Sequence, residues 1–563
     1  VVVQKSGAWK SETDEHRNAA GTTFPEPGHR RFTGTKTISG MKKFLSRFLL
    51  AATLLLAGAA VFVYTRLQDR FPGYIVDIQP SRQPPAPLKA GFAAVPITPA
   101  VPDTWTDANG DARFVESDGD TWQDGNGNGR FDAVWMAGFQ NRRPAQGVHD
   151  DLWARAMVLD DGHTRLALVV LDAIGFGHDE VIRVRRMLSE TAGVDYVIVT
   201  STHTHEAPDL LGLWGESEYQ SGVDPAYMAL VRKQAARVVE DAVAALRPAV
   251  LRFAEEPAAA ADLVMDSRPP MVPDPGMQLL RAVDAETGQP LGTLVQWANH
   301  PETTWSGNLL LSSDFPHFLR EGMEKGVNVG DSTVVPGLGG ICLYVNGSVG
   351  GLMTTAPDFG IRDPFRDTVY VVPSFDKARA QGQALALLAT RALTDTTGVE
   401  QPSDLSEGNI LLCARTLELP LDNPLYRLAA GLGVLDRGMS GWFRLRTEVA
   451  AWRLGPATFL HHPGELYPEI LHGGIAAPAG GDFSLPPQEV PPLRSLMPGT
   501  YRFNVGLSND EIGYVIPESQ WDEAAPFTYD FHEAPYGEIN SVGPKTAGLL
   551  YRQLTEVIDQ ISR

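Results

Sequence analysis

The sequence predicts an α/β protein, a large mixed layered domain with a metal site at its strand ends, preceded by an N-terminal membrane-anchor helix. Three observations predict it. Short β-branched runs alternate with longer helical stretches, the order of a layered α/β fold. Histidines and carboxylates gather just past the carboxyl ends of those runs, where such sheets bind ligands. One basic-flanked apolar run lies ahead of everything else.

Taken in order, residues 1–40 are polar, mixed in charge and without apolar period. They read as disordered, or as sequence upstream of a true start at Met41. Segment 41–66 reads as a signal-anchor or transmembrane helix. Lys42, Lys43 and Arg47 precede an apolar run over 48–64, near the ~17–20 residues a bilayer core requires. The basic cluster keeps the N-terminus cytoplasmic and sends the rest outward. The run continues to Tyr64 past the cleavage-type Ala57-Gly58-Ala59, which favours a retained anchor over a cleaved signal. Residues 67–90, with Pro72, Pro80, Pro84, Pro85 and Pro87, read as an extended linker. The folded body is 91–563. Its strands are expected at 166–171, 196–200, 291–297, 341–345, 410–417 and 449–460, its helices at 179–188, 226–246, 377–393 and 546–561.

Composition narrows the function. The 563 residues include 47 Lys+Arg against 68 Asp+Glu. The imbalance is concentrated beyond residue 70, where 36 basic face 63 acidic residues. Such a body lacks the basic footprint that phosphate backbones need, so nucleic acid is not a partner. Two cysteines, Cys342 and Cys413, exclude a Cys-rich zinc site and leave either one disulfide or two buried thiols. The oligomeric state is open.

Four motifs place polar residues at strand ends. Tyr196–Thr200 runs into Thr202-His203-Thr204-His205, and i, i+2 imidazoles in extended chain share a side. Gly147-Val148-His149-Asp150-Asp151 precedes an apolar run. His461-His462-Pro463-Gly464-Glu465 and Asn299-His300-Pro301-Glu302 each close another. Imidazoles and a carboxylate converging from separate strands are a zinc donor set. A separate acidic insertion, 103–135, twice repeats the calcium-loop spacing, in Asp107, Asn109, Asp111 and in Asp124, Asn126, Asn128, with Asp132 at position 9. The bidentate Glu of position 12 is replaced by Trp135. The insertion reads as a structural calcium site.

These motifs, with Ala90-Gly-Phe-Ala-Ala-Val-Pro-Ile-Thr-Pro99, Asn509-Asp-Glu-Ile-Gly-Tyr514 and Tyr536-Gly537, resemble the catalytic region of neutral/alkaline non-lysosomal ceramidases. The resemblance implies zinc held by His149, His205, Glu465 and Tyr514, with His203 and Tyr536 donating to the oxyanion. It implies a hydrolase that uses zinc-activated water to cut the amide of ceramide or a related lipid-like N-acyl substrate; with the 41–66 segment, the expectation is an exported, membrane-anchored enzyme whose body is periplasmic or at the cell surface. Asp151 and Asp314 are candidates for the general base. The family's Gly-Asp-x-Ser-Pro-Asn loop is replaced by Asn346-Gly-Ser348-Val-Gly350-Gly351, so Gly350 stands where a serine would be and Ser348 where an aspartate would be. The substrate side is therefore rebuilt. An esterase or lactonase on the same zinc site, and a non-catalytic calcium-stabilised surface binding protein, are the alternatives.

Overall fold

A computed structural model describes residues 35–330, 332–355, 357–395 and 402–563, so the reading of 1–34 lies outside the described residues. An N-terminal unit ends at Thr65 and the body takes up Arg66–Arg563. Among the described residues, this part of the chain is one helix, Thr35–Arg66, which begins ahead of Met41 and includes residues 35–40 that read as disordered. Its Lys43–Arg66 part is long and apolar enough to cross a membrane.

In the body, two sheets face each other and helices cover their outer sides. The larger sheet runs Ile341–Asn346, Pro290–Trp297, Met277–Asp284, Arg247–Glu256, Lys89–Pro96, Trp153–Asp160, Arg165–Leu171, Tyr196–Ser201, with Ser403–Leu405 also pairing Arg247–Glu256. The smaller runs Asp77–Ile78, Leu411–Pro420, Arg444–Leu454, Ala457–His461, Tyr501–Val505. Alternate residues of both, such as Leu168, Ile198, Leu294 and Leu343 against Trp452, Phe459 and Phe503, form the buried layer between them. Trp452 and Phe459 are cross-strand partners stacked at 3.6 Å, a contact worth ~0.5–1.5 kcal/mol beyond the area it buries. The helices His178–Met187, Pro225–Ala244, Phe315–Lys325 and Phe375–Thr394 cover the outer face of the larger sheet, and Thr546–Ser562 that of the smaller.

Three parallel pairs matter for the site: Arg165–Leu171 with Tyr196–Ser201, Pro290–Trp297 with Ile341–Asn346, and Ala457–His461 with Tyr501–Val505. The first two lie at opposite edges of the larger sheet, yet the sheet coils until those edges meet. The buried Asn346 amide spans the gap, donating to Thr202 O at 3.0 Å and Asn299 O at 2.8 Å. Strand-end residues far apart in sequence therefore converge.

Two expectations are corrected, and one alternative left open by the sequence is resolved. The 67–90 stretch is not a free linker: Phe71 and Leu88 are buried, and Asp77–Ile78 pairs with Leu411–Pro420. The 449–460 run is two strands rather than one, because Gly455 at φ +55° and Pro456 turn Arg444–Leu454 back into Ala457–His461. Cys342 and Cys413 are separate buried thiols. The 103–135 insertion is an antiparallel hairpin, Thr104–Thr106 with Thr121–Gln123, tied down by aromatic contacts of Phe114 with Trp105 and of Phe131 with Trp122.

Candidate metal centre and cavity

The Tyr196–Ser201 strand ends in a tight reversal. His203 adopts φ +68°, a left-handed conformation that costs a non-glycine residue ~1–2 kcal/mol. Two bonds hold it there: its N–H donates to Ala173 O at 2.9 Å, and its Nδ1 lies 2.5 Å from Ile174 O. His300 is built alike, Nδ1 lying 2.7 Å from Met353 O. With both Nδ1–H groups committed to carbonyls, each ring turns Nε2 toward one point. Glu465 Oε2 occupies it, 3.0 Å from His300 Nε2 and 3.6 Å from His203 Nε2. His205 completes the group, and among the described residues these three imidazoles offer ring nitrogens within 4.8 Å of one another.

Nitrogen lone pairs and a carboxylate facing one another need positive charge between them. Burial lowers the pKa of His205 well below its ordinary value, and its neighbours His203 and His300 push the same way. Neither His205 ring nitrogen makes a hydrogen bond, although Nδ1 lies 3.3 Å from Glu302 Oε2. For His300, burial works against protonation, but the bond to Glu465 outweighs it and the pKa rises. Glu465 is held below the usual carboxylate range by His203 and His300, against its burial. A divalent cation satisfies such a donor set, with Nδ1–H bonds to carbonyls fixing the tautomers. The residues fit a metal.

The chain supports this cluster closely. Gly138 sits at φ +101°, where an added Cβ would come within 2.5 Å of the His205 ring. The wholly buried Arg143 donates to Ala137 O and to His205 O, beside the buried Glu206, whose carboxyl burial pushes up to about 8.

His203, His205 and Glu465 of this cluster line a cavity of about 190 Å³ whose walls include Leu210, Leu211, Trp214, Met228, Leu435 and Val542. Tyr514, Tyr536 and Glu511 line it too. Parallel pairing of Glu465–Leu466 with Tyr514–Val515 places Glu465 opposite Tyr514. The Tyr514 hydroxyl lies 3.5 Å from His300 Nε2, and its ring meets Tyr536 edge-on at 5.8 Å. Burial, then the charge of Glu465, raise both phenol pKa values, so both remain O–H donors at neutral pH. Glu511 is raised for the same two reasons. Its Oε1 accepts from Gly513 N at 2.7 Å while Oε2 has no partner.

His203, His205, Glu465, Tyr514 and Tyr536 are thus brought together. His149 is not. Its strand, Gly147–Val148, pairs with Leu310–Leu311, and its ring stacks on Phe375 at 3.6 Å with Nδ1 2.8 Å from Asp150. His300 stands in the cluster instead. Asp151 faces solvent and accepts from Thr98, because the chain bends at Asp150 and the expected i, i+2 relation to His149 is lost. Asp314 caps the Phe315–Lys325 helix, its oxygens taken by Phe315 N, Thr304 N and the Thr303 hydroxyl. Ser348 is buried, accepting from Asn504 Nδ2 at 2.8 Å, and does not line the cavity. Gly350 is required, since a Cβ there would lie 2.5–2.7 Å from Tyr467 and Glu465 O.

His300 was visible in the sequence as a strand-end His-Pro, but nothing local tied it to His203. Glu511 gave no such signal. In the insertion, Asp124 accepts from Gly127, Asn128 and Gly129 N–H groups. Asn126 and Asn128 both turn their amides to Asp132 Oδ2. In the first loop, Asp107 accepts from Gly110 and Ala112, Asn109 from Asp111, and Asp111 from Arg113.

No family model and no curated protein sequence matches this chain. Solved structures do. It is similar to the neutral ceramidase of Pseudomonas aeruginosa, with TM-score 0.56 and 16% identity over 85% of this chain and 74% of that one. It is also similar to a ceramidase complexed with C2, with TM-score 0.57 and 16% identity over 85% and 75%. The body therefore has a neutral ceramidase-like fold.

Proposed function

We propose that this protein is a zinc-dependent amidohydrolase of the neutral ceramidase type, acting on a lipid-like N-acyl amide. The observation that carries the reading is the group His203, His205, His300 and Glu465, of which His203, His205 and Glu465 line a cavity that also has leucine, tryptophan and methionine walls. These four residues would hold zinc with Tyr514 beside it, and the ion would polarise a carbonyl and make water nucleophilic at neutral pH. The chain's own residues do the rest. The apolar walls take the acyl chain and keep bulk water from the amide. Tyr536 and Tyr514, neutral at pH 7, donate to the oxygen on which negative charge develops. Gly350 leaves no place for a serine nucleophile, and Ser348 has a packing role. The general base remains unassigned, because Asp151 and Asp314 are engaged elsewhere. The Lys43–Arg66 helix anchors the protein with its body extracytoplasmic.

Calcium belongs to the same reading as a structural ion. Asp107, Asn109 and Asp111 would hold one ion, and Asp124, Asn126, Asn128 and Asp132 another. The calcium-loop spacing of Asp124, Asn126, Asn128 and Asp132 supports the second. An ion that binds only the folded state adds about 2.7 kcal/mol at a hundredfold excess over Kd, so calcium should raise the melting temperature of the wild type and not of Asp124→Ala. Equal responses would remove the ion.

The activity is tested with the full chain by following fatty-acid release from N-acyl amines and matched esters. Chelation should abolish amide cleavage and zinc restore it, Glu465→Ala should lose bound zinc, and Ser348→Ala should cost far less than the ~10²–10³ of a lost oxyanion donor. A zinc-loaded protein that cleaves esters alone, or neither substrate, contradicts the proposal.

A further inference from the structure

The short helix Pro424–Leu432 has an apolar face that none of the described residues covers. Asn423 caps it by accepting from Leu425 N and Tyr426 N, and Gly433 at φ +80° ends it. Residues three and four apart share a helix face. Leu425, Leu428 and Leu432 therefore form one stripe, and they are 51%, 54% and 41% exposed. Beyond the helix Trp442 is 80% exposed. On the opposite face, Ala430 and Tyr426 pack into the core behind the smaller sheet. Three leucines and a tryptophan are a costly set to leave in water, and they are the residues that seat a helix in a bilayer interface.

Two further observations say what covers this face. The chain leaving the apolar Lys43–Arg66 stretch is fixed beside it. Leu67 packs into the same core cluster, Arg70 pairs with Asp436, and Asp69 pairs with Arg446. Four residues from Arg66 to Arg70 reach at most ~14 Å, so Arg66, where the apolar stretch ends, lies within that reach of the Arg70–Asp436 pair. In addition, Leu435, Asp436 and Arg437, which follow the helix directly, line the cavity that ends at the histidine cluster.

We infer that the Leu425, Leu428, Leu432 and Trp442 face inserts into the outer leaflet of the lipid bilayer, placing the cavity mouth where an acyl chain can enter from the membrane. The inference rests on the reading of Lys43–Arg66 as a membrane span and of the substrate as a lipid amide. The bilayer takes a substrate directly from its leaflet into the apolar cavity, so the acyl chain never crosses water.

The test uses the full chain in phosphatidylcholine nanodiscs. Cys342 and Cys413 are buried, so a thiol-reactive, environment-sensitive dye reports on Leu428→Cys, on Leu55→Cys within the apolar run, and on Glu286→Cys in an exposed turn of the body. Lipids with brominated acyl chains should quench the dye at 428 and at 55 severalfold and leave 286 unchanged. Quenching at 55 without quenching at 428 overturns the inference and leaves the membrane span standing; quenching at neither overturns both. Independently, Leu428→Asp with Leu432→Asp should raise KM about tenfold for a bilayer-embedded N-acyl substrate and leave kcat/KM unchanged for a short-chain, water-soluble one. Equal losses on both substrates would show damage to the fold and contradict a membrane role.

Discussion

Replacing His300 and His149 separately by alanine distinguishes the ligand set proposed from the imidazole cluster from the one the sequence suggested. His300 is fully buried, with Nδ1 on Met353 O and Nε2 3.0 Å from Glu465. Removing it would take away one donor of the proposed zinc site, and structural zinc sites bind with about 10–16 kcal/mol in total. Shared over four donors, that is roughly 3 kcal/mol, or on the order of 10²-fold in Kd. Without metal, the change also strips Glu465 of its closest partner, and an uncompensated buried charge costs about 3–5 kcal/mol. His149 offers a different ledger. Its side chain is 31% exposed, and its stack on Phe375 is worth ~0.5–1.5 kcal/mol. The assay is competition for zinc against a chromophoric chelator, with melting curves of the metal-free proteins alongside. His300→Ala should bind zinc at least a hundredfold more weakly and melt several degrees lower, and His149→Ala should match the wild type in zinc affinity. Zinc lost from His149→Ala and kept by His300→Ala would refute the assignment.

Three further predictions follow from the packing and the ionisation of the body. Tyr536→Phe should lower kcat by about 10²-fold, the effect of losing one oxyanion donor, with zinc content unchanged; steady-state kinetics and metal analysis together check this. Gly350→Ser should not create a nucleophile but destabilise the protein by about 1–3 kcal/mol, seen as a lower melting temperature without an acyl-enzyme in mass spectra. Burial raises the carboxyls of Asp209 and Asp314 to about 6 and that of Glu469 to about 7. Groups raised on folding stabilise below their unfolded pKa and lose that contribution as pH passes the folded value, on the order of 3 kcal/mol for Asp209. The melting temperature should therefore fall between about pH 4 and about pH 7, and Asp209→Asn should flatten part of that slope; a rising melting temperature over that range would contradict it.

The parts of the fold that were legible in the sequence are those with strong local patterns. The apolar runs around 166–171, 196–200 and 341–345 are strands buried on both faces, and their β-branched composition marks them. The hairpin at Gly455-Pro456 was missed because apolar residues continue on both sides of the turn. At the site, His203 and His205 announced themselves as a strand-end pair, and Glu465 and Tyr514 came from motif resemblance. His149 lies outside the imidazole group although its surroundings resemble a ligand segment, because its strand pairs with Leu310–Leu311, about 160 residues away in the chain. His300 reaches His203 only because opposite edges of the larger sheet meet through Asn346. Long-range closure of this kind leaves no local trace. The same holds for Glu511, whose place in the cavity depends on the loop between Tyr501–Val505 and Tyr514–Val515, and for Gly138, whose missing Cβ makes room for the His205 ring.

The central claim is that three imidazoles and one carboxylate from the ends of separate strands hold a zinc ion. Anomalous diffraction from crystals of the zinc-loaded protein, recorded on both sides of the zinc absorption edge, tests it most directly. The account predicts a single strong peak within bonding distance, about 2.0–2.2 Å, of His203, His205, His300 and Glu465. A peak beside His149 and Asp150, or no peak among the three imidazoles, would contradict it.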